Sequence, residues 1–264
     1  FLNTALNQDK FNLENLDNSY FYVLLSPDKS KMILSNNAYN TLTFLTKEER
    51  FFSTIPSLNT FKSKWSPDSE KLLTMISDYS KKKRVNSLIV LNDKGEVQNT
   101  IVANSTDRIL PLDWTGENTF HALVNDSLRS FNTLRNKNEW DSELIYAVDK
   151  EVFLKENDLN SSLLYKAKNS VLNLDYSKKG KLIVFEVYGD NTIVFNRSDK
   201  KTISLGKVNG PVISPDDSKI LFMELIDDGY QIISGDIFLW DSKSETIFLH
   251  FEISIVEGLC SCFE

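Results

Sequence analysis

Residues 212–223 read "VISPDDSKILFM", a turn spelled in Ser, Pro and Asp that runs directly into an apolar stretch. The same pattern stands at 24–34, "LLSPDKSKMIL", and at 64–75, "KWSPDSEKLLTM". Proline sets φ at the first corner of such a turn, Asp or Lys follows, and a short polar residue completes it, so two strands are joined tightly. A chain that repeats one hairpin is assembled from repeats, and the spacing of the hairpins gives the size of the unit.

The turns fall at Ser26-Pro27-Asp28, Ser66-Pro67-Asp68 and Ser214-Pro215-Asp216, with weaker forms at Thr115-Gly116-Glu117 and at Ser177 to Gly180. The first and last intervals are 40 and 37 residues, and the middle two are 49 and 62, which leaves room for insertions. A period near 40 with strand-like segments is the length of a four-stranded propeller blade, and the 3.6-residue apolar spacing of helical repeats is absent.

Each unit is laid out alike. A first strand ends in a bulky apolar residue just before the turn: Leu25, Trp65, Trp114, Tyr176 or Ile213. That recurrence marks a repeated packing site between neighbouring sheets. A second, apolar strand follows: "KMILS", "KLLTMIS", "TFHALVN", "KLIVFEV", "KILFMEL". The third runs into a polar turn: "NTLTFLTKEE", "NSLIVLNDKGE", "KEVFLKENDLN", "NTIVFNRSDKK", "GDIFLWDSKSE". The fourth is "RFFSTI", "VQNTIV", "SLLYKA", "KTISLG" or "TIFLHF". The expected fold is therefore all-β, a single β-propeller domain over 1–264 with blades at 20–57, 58–103, 108–168, 170–206 and 210–250.

Residues 126–142, "DSLRSFNTLRNKNEWDS", fit no strand of the template and read as an insertion. The tail "FEISIVEGLCSCFE" at 251–264 reads either as the first strand of a sixth, incomplete blade or as a closing strand. Propellers avoid bare edges by letting one terminus complete the blade the other begins.

Composition narrows the function classes. An apolar fraction of 41% and a charged fraction of 25% suit a globular chain with a core. A net charge of −7 argues against a nucleic-acid backbone binder. The basic run "KKKR" at Lys81 to Arg84 lies between two strand-like segments and reads as a solvated loop. No apolar run reaches the roughly 18 residues needed to span a bilayer. Residue 1 is Phe, as in a mature form or a piece of something longer.

Chemistry is sparse. The only cysteines, Cys260 and Cys262, sit at the end and leave the body without disulfides; with His121 and His250 as the only imidazoles, no metal site is expected. No GxSxG, GxGxxG or GxxxxGK occurs, so neither a hydrolase nucleophile nor a phosphate cradle is written. His121 in "TFHALVN" reads as a hydrogen-bonded core residue. "IDDGYQIISGD" at 226–236 reads as a hairpin rather than a calcium loop. No cofactor is called for.

One constellation stands out. Asp113 in "LDW" and Asp175 in "LDY" share a repeat position on the innermost strand, with Lys64 in the matching place of the second unit. Innermost strands line a propeller's channel, so these three are the candidate ligand-binding residues, for a cation, a sugar or a basic peptide. The alternative is that each Asp accepts backbone amides and staples its blade.

The combination of an apolar residue with "SPD", a Lys-led apolar strand and "GDIFLWDSKSE" resembles the TolB-like propeller repeats of bacterial envelope proteins over roughly residues 20–250. The same repeat style occurs in the propeller domains of prolyl-oligopeptidase-like serine peptidases and in some sugar lyases. WD-repeat proteins share the "SPD" turn and the closing Trp240-Asp241, but the Gly-His pair usual before their first strand is missing here. The Gly usual after "SPD" is also replaced, by Lys29, Ser69 and Asp217. The resemblance implies an extracytoplasmic, non-catalytic module for protein or ligand recognition, with a protein or peptide partner. The competing reading is a substrate-gating propeller of a peptidase whose hydrolase domain lies elsewhere, or a propeller lyase or glycan-acting enzyme.

Overall fold

The computed structural model describes residues 20–36, 41–46, 50–54, 63–80, 83–134, 142–157, 160–177, 180–214, 216–227, 232–256 and 259–261. The expectations for 1–19, for the core of the "KKKR" run at 81–82, for 135–141 and for Cys262 lie outside these residues, as do the side chains of His250 and Cys260. The described residues contain strands and no helix, and hence no helix long and apolar enough to cross a membrane. The chain divides into two compact units, Phe1–Ser142 and Glu143–Glu264.

In the first unit the chain meanders through three antiparallel sheets. The first holds β1 (Tyr20–Leu25), β2 (Met32–Asn36), β3 (Thr41–Leu45) and β4 (Arg50–Thr54); the second holds β5 (Lys64–Trp65), β6 (Lys71–Asp78), β7 (Val85–Asn92) and β8 (Val97–Ser105). The third is β9 (Ile109–Trp114), β10 (Thr119–Val124) and β11 (Ser127–Asn132).

The second unit continues the pattern. Its fourth sheet is β12 (Leu144–Val148), β13 (Glu151–Lys155) and β14 (Ser161–Lys166). The fifth is β15 (Val171–Tyr176), β16 (Leu182–Val187), β17 (Thr192–Asn196) and β18 (Thr202–Gly206). The sixth is β19 (Asn209–Ile213), β20 (Lys219–Asp227), β21 (Ile232–Asp241), β22 (Thr246–Val256) and β23 (Leu259–Ser261).

Continuous apolar runs become central strands because both their faces are covered. In β6 and β7, Leu72, Ile89 and Leu91 pack with Ile33, Leu42 and Phe44 of the first sheet, while Leu73, Met75, Leu88 and Val90 pack with Ile109, Trp114 and Phe120 of the third. The fifth sheet does the same: Ile183, Phe185 and Phe195 meet Ile145 and Val152 of the fourth, and Leu182, Val184 and Val194 meet Ile220, Phe222 and Trp240 of the sixth. Side chains alternate between faces with period two, so a run such as "KLLTM" fills two cores at once.

Two stretches differ from expectation. The span 108–168, read as one unit, holds the third and fourth sheets, and the "insertion" at 126–142 supplies β11 through Ser127–Asn132, which pairs along its whole length with β10. Only Leu128 and Phe131 are apolar in "SLRSFN", and all six residues are exposed or half-buried, so an edge strand carries little apolar pattern to read. The tail opens no further sheet: residues 251–256 prolong β22, and β23 folds back on them.

The three Ser-Pro-Asp turns repeat one hydrogen-bond set. The amide of Ser26, Ser66 or Ser214 donates to the carbonyl of Lys31, Lys71 or Lys219, and that lysine's amide donates to the serine Oγ at 2.9 Å in each case. The serine hydroxyl donates to the aspartate two residues on, whose Oδ1 also accepts the amide of Ser30, Glu70 or Ser218. The fourth residue of each turn, Lys29, Ser69 or Asp217, has φ of 60°, 63° or 59°, the left-handed region that favours glycine.

Two of these left-handed residues use the side chain that glycine would lack. Ser69 Oγ accepts the Asp28 amide at 3.2 Å, and Asp217 Oδ2 accepts the Lys181 amide at 2.5 Å, so each reaches the turn of the preceding sheet. Gly180 leaves room for the second contact, since a Cβ there would lie 1.7 Å from Asp217 Oδ2.

The exposed Lys29 has the strained backbone without such a bond to another sheet. Lys29→Gly is expected to raise unfolding free energy by about 0.5–1 kcal/mol, the left-handed penalty less the extra freedom of the unfolded chain. Ser69→Gly is expected to gain less or to lose stability; urea titration of the two variants checks the contrast.

Hydrogen bonds from Ser214 and Ser218 hold the Asp216 carboxyl at about 2, below its ordinary 3.8. A carboxyl lowered on folding stabilises the fold above the unfolded value and ceases to do so as pH falls through the folded one. Wild type is therefore expected to exceed Asp216→Asn in stability above pH 4, with the gap closing by about pH 2, as measured by thermal melts across that window.

Candidate functional site

Lys64, Asp113 and Asp175 all lie at the expected position, one residue before the bulky residue that ends the first strand of a sheet. All three are half-buried. Lys64, on β5, offers its backbone carbonyl to the Trp114 indole N–H at 3.0 Å. Asp113 Oδ1 accepts the amide of Trp114, its neighbour in sequence, at 2.8 Å. Asp175 Oδ2 accepts the amide of Ile213 at 2.8 Å, across to the sixth sheet.

These bonds belong to one repeating joint. Trp65 donates its indole N–H to the Leu24 carbonyl at 3.4 Å, as Trp114 does to Lys64, and Ile213 occupies the same place against Asp175. The residue before the turn in each of these sheets thus docks on the penultimate first-strand residue of the sheet before it. Lys64 and Asp113 stand on neighbouring sheets of the first unit, and Asp175 belongs to the second unit.

His121 is fully buried between two hydroxyls, with Nε2 2.8 Å from Thr115 Oγ1 and Nδ1 3.0 Å from Ser130 Oγ. Both ring nitrogens are engaged, as expected of a core histidine. Among the described residues no cluster of His, Cys, Asp or Glu is placed to hold a metal ion.

The second unit holds a cleft with a volume of about 470 Å³. Leu154 of β13 and Leu164 of β14 supply apolar walls from the fourth sheet, and Gly180, Lys181, Arg197 and Ser198 face them from turns of the fifth. Glu143, just before β12, closes the site by pairing with Arg197 in a two-pronged ion pair: Nη1 meets Oε1, and Nη2 donates to Oε2 at 2.7 Å. The two side chains are 20% and 18% exposed, so the pair is shielded but still reaches solvent.

Backbone contacts aim the guanidinium. The Arg197 amide donates to the Lys181 carbonyl at 2.8 Å, and Nη1 lies 3.5 Å from the Gly180 carbonyl. The Glu143 carboxylate keeps Arg197 firmly protonated, raising its already high pKa. Lys181 and Arg197 face Glu143 beside two leucines, and the Asp217 carboxylate stands against the Lys181 amide.

No sequence motif marks this site: Glu143 and Arg197 are 54 residues apart and belong to different repeats. A recurring polar residue just after the third strand, as at "NRS", is the one cue that the turn ends carry side chains of consequence.

Arg197→Gln is expected to lower stability by about 1–2 kcal/mol, the scale of a charged hydrogen bond discounted for partial exposure. In the Glu143→Gln background the same change is expected to cost much less. A double-mutant cycle in urea measures the coupling.

No family model matches the chain, and no curated protein matches it. Among solved structures, U3-55K, a WD40 β-propeller protein, superposes with a TM-score of 0.61 at 10% identity, covering 94% of this chain and 85% of that one. Hydrazine synthase of Kuenenia stuttgartiensis superposes with a TM-score of 0.47 at 11% identity, covering 90% of this chain and 66% of that one. The chain is all-β, built of antiparallel sheets, and its likeness to U3-55K is one of fold.

Proposed function

We propose that the chain is a β-propeller recognition module whose sheets serve as blades and whose second-unit cleft binds a protein or peptide segment without transforming it. The observation that carries this reading is the cleft itself. Two leucines flank a fixed, hydrogen-bonded guanidinium, and the charges are held by partners rather than poised for proton transfer. The face-to-face stacking of successive sheets supports the blade assignment, and the likeness to a WD40 β-propeller protein points to protein interaction.

The ligand that fits is an exposed segment with an apolar side chain next to Asp or Glu. The apolar group enters between Leu154 and Leu164, and the carboxylate faces Lys181 and the outer edge of Arg197. The resemblance to TolB-like repeats adds an extracytoplasmic setting to this proposal. Lys64 and Asp175 enter it as joints that hold successive blades, and Asp113 as a staple within its own strand.

Selection of a random peptide-display library on the full chain tests the reading. Enriched peptides are expected to carry an apolar residue beside an acid and to bind Ser198→Trp, which fills the cleft from an exposed position, at least tenfold more weakly. Peptides that bind this variant as well as wild type, or a selection without consensus, would overturn it.

A further inference from the structure

The run "KKKR" at 81–84 ends in a side chain with a fixed place at the β6–β7 hairpin. Ser77 and Asn86 face each other there across the two strands, only 2% and 5% exposed. The Ser77 hydroxyl donates to Asn86 Oδ1 at 2.8 Å, and Asn86 Nδ2 donates to the Asp107 carbonyl at 2.7 Å. Arg84 lays one edge of its guanidinium on this buried pair. Nε donates to Asn86 Oδ1 at 3.0 Å and to Ser77 Oγ at 3.2 Å, and Nη2 donates to Ser77 Oγ at 2.9 Å.

The partners on that edge are neutral, so they orient the cation without neutralising it. Arg84 forms no ion pair among the described residues, in contrast to Arg197 against Glu143. The acids near it bond elsewhere: Asp78 Oδ1 accepts the Ser80 amide at 2.8 Å, and the Asp107 carboxylate accepts the Ser105 hydroxyl and the Asn125 carboxamide, both at 2.7 Å. The end-on fork of Nη1 and Nη2 is thus uncommitted, and pinning the inner edge fixes its direction, which lowers the ordering cost of binding.

Tyr79 adds a second wall. Arg84 Cζ lies 5.4 Å from its ring centroid, and the ring is 63% exposed. An aromatic face holds the plane of a guanidinium, and exposed Tyr and Arg side by side have the composition of interface hot spots. The sequence sets three lysines directly before Arg84, of which Lys83 is exposed.

We propose that the Arg84 fork is a docking point for a carboxylate of an acidic protein segment, gripped end-on by Nη1 and Nη2 beside the Tyr79 ring. The two oxygens of one carboxylate match the two nitrogens of the fork, and the neighbouring lysines draw an acidic chain toward it. A protein acid fits better than a nucleic acid, because the chain as a whole carries a net charge of −7. Every residue of the site belongs to the first unit. It stands at a hairpin end and not on a sheet face, so the face-to-face stacking of sheets leaves it accessible. The proposal goes beyond the cleft of the second unit and does not rest on it.

Fluorescence anisotropy of a fluorescein-labelled tetraglutamate peptide on the full chain tests it. Wild type is expected to bind with a Kd below about 200 µM, and a tetraglutamine peptide is expected not to bind. Arg84→Lys, which keeps the charge and loses the fork, is expected to weaken binding about tenfold. Tyr79→Ser is expected to weaken it about threefold, and it leaves the Ser77–Asn86 pair untouched, so it reads the site even if Arg84→Lys loosens the hairpin. Ser198→Trp is expected to bind the peptide as wild type does. A wild-type chain that ignores the peptide, or binding indifferent to both Arg84→Lys and Tyr79→Ser, would overturn the proposal. Loss of binding in Ser198→Trp would overturn it as well, by placing the peptide in the cleft and leaving that reading intact.

Discussion

Everything in this molecule hangs on sheets being buried face to face, so that the middle strands of one sheet feed the cores on either side of it. A strand such as β6 or β16 has no solvent side along its middle, and its sequence there is accordingly mostly apolar, LLTMI or LIVF. Because one residue of slippage would exchange the two faces, the register of these strands must be held firmly. The turns do that holding. The Ser-Pro-Asp loop pins the first two strands through six or seven hydrogen bonds drawn from side chains as much as backbone, and its aspartate is kept ionised by bonds of the same set. For Asp28, burial works against the charge, and the hydrogen bonds from Ser26, Ser30 and Ser69 outweigh it.

What could be read in advance follows from this division of labour. Strands of the first, second, fifth and sixth sheets were readable because turn and apolar run occur together. The third and fourth sheets were fused into one unit because the cue fails where one gives way to the other: β11 is an edge strand with two apolar residues, and β12 begins without a Ser-Pro-Asp turn. The alternation that betrays a strand fades wherever neither face is fully covered.

The sites show the same limit from the other side. The first-strand positions of Lys64, Asp113 and Asp175 were found by aligning repeats, which is why they prove to share a structural task, accepting hydrogen bonds at or next to the joint between sheets. The cleft obeys no repeat. Glu143, just before the fourth sheet, meets Arg197 at a turn of the fifth, and a single sequence holds no periodic cue for a pair of that kind.

The side chains at the left-handed turn positions take on a different meaning beside these contacts. In a uniform repeat protein any unit can stand next to any other, and the array can gain or lose members by recombination. Here Ser69 answers to Asp28, and Asp217 to Lys181 and the bare backbone of Gly180. Each such turn fits the particular neighbour it follows. The side chains at these left-handed positions make the turns addressable, each matched to one partner rather than to any member of an interchangeable series.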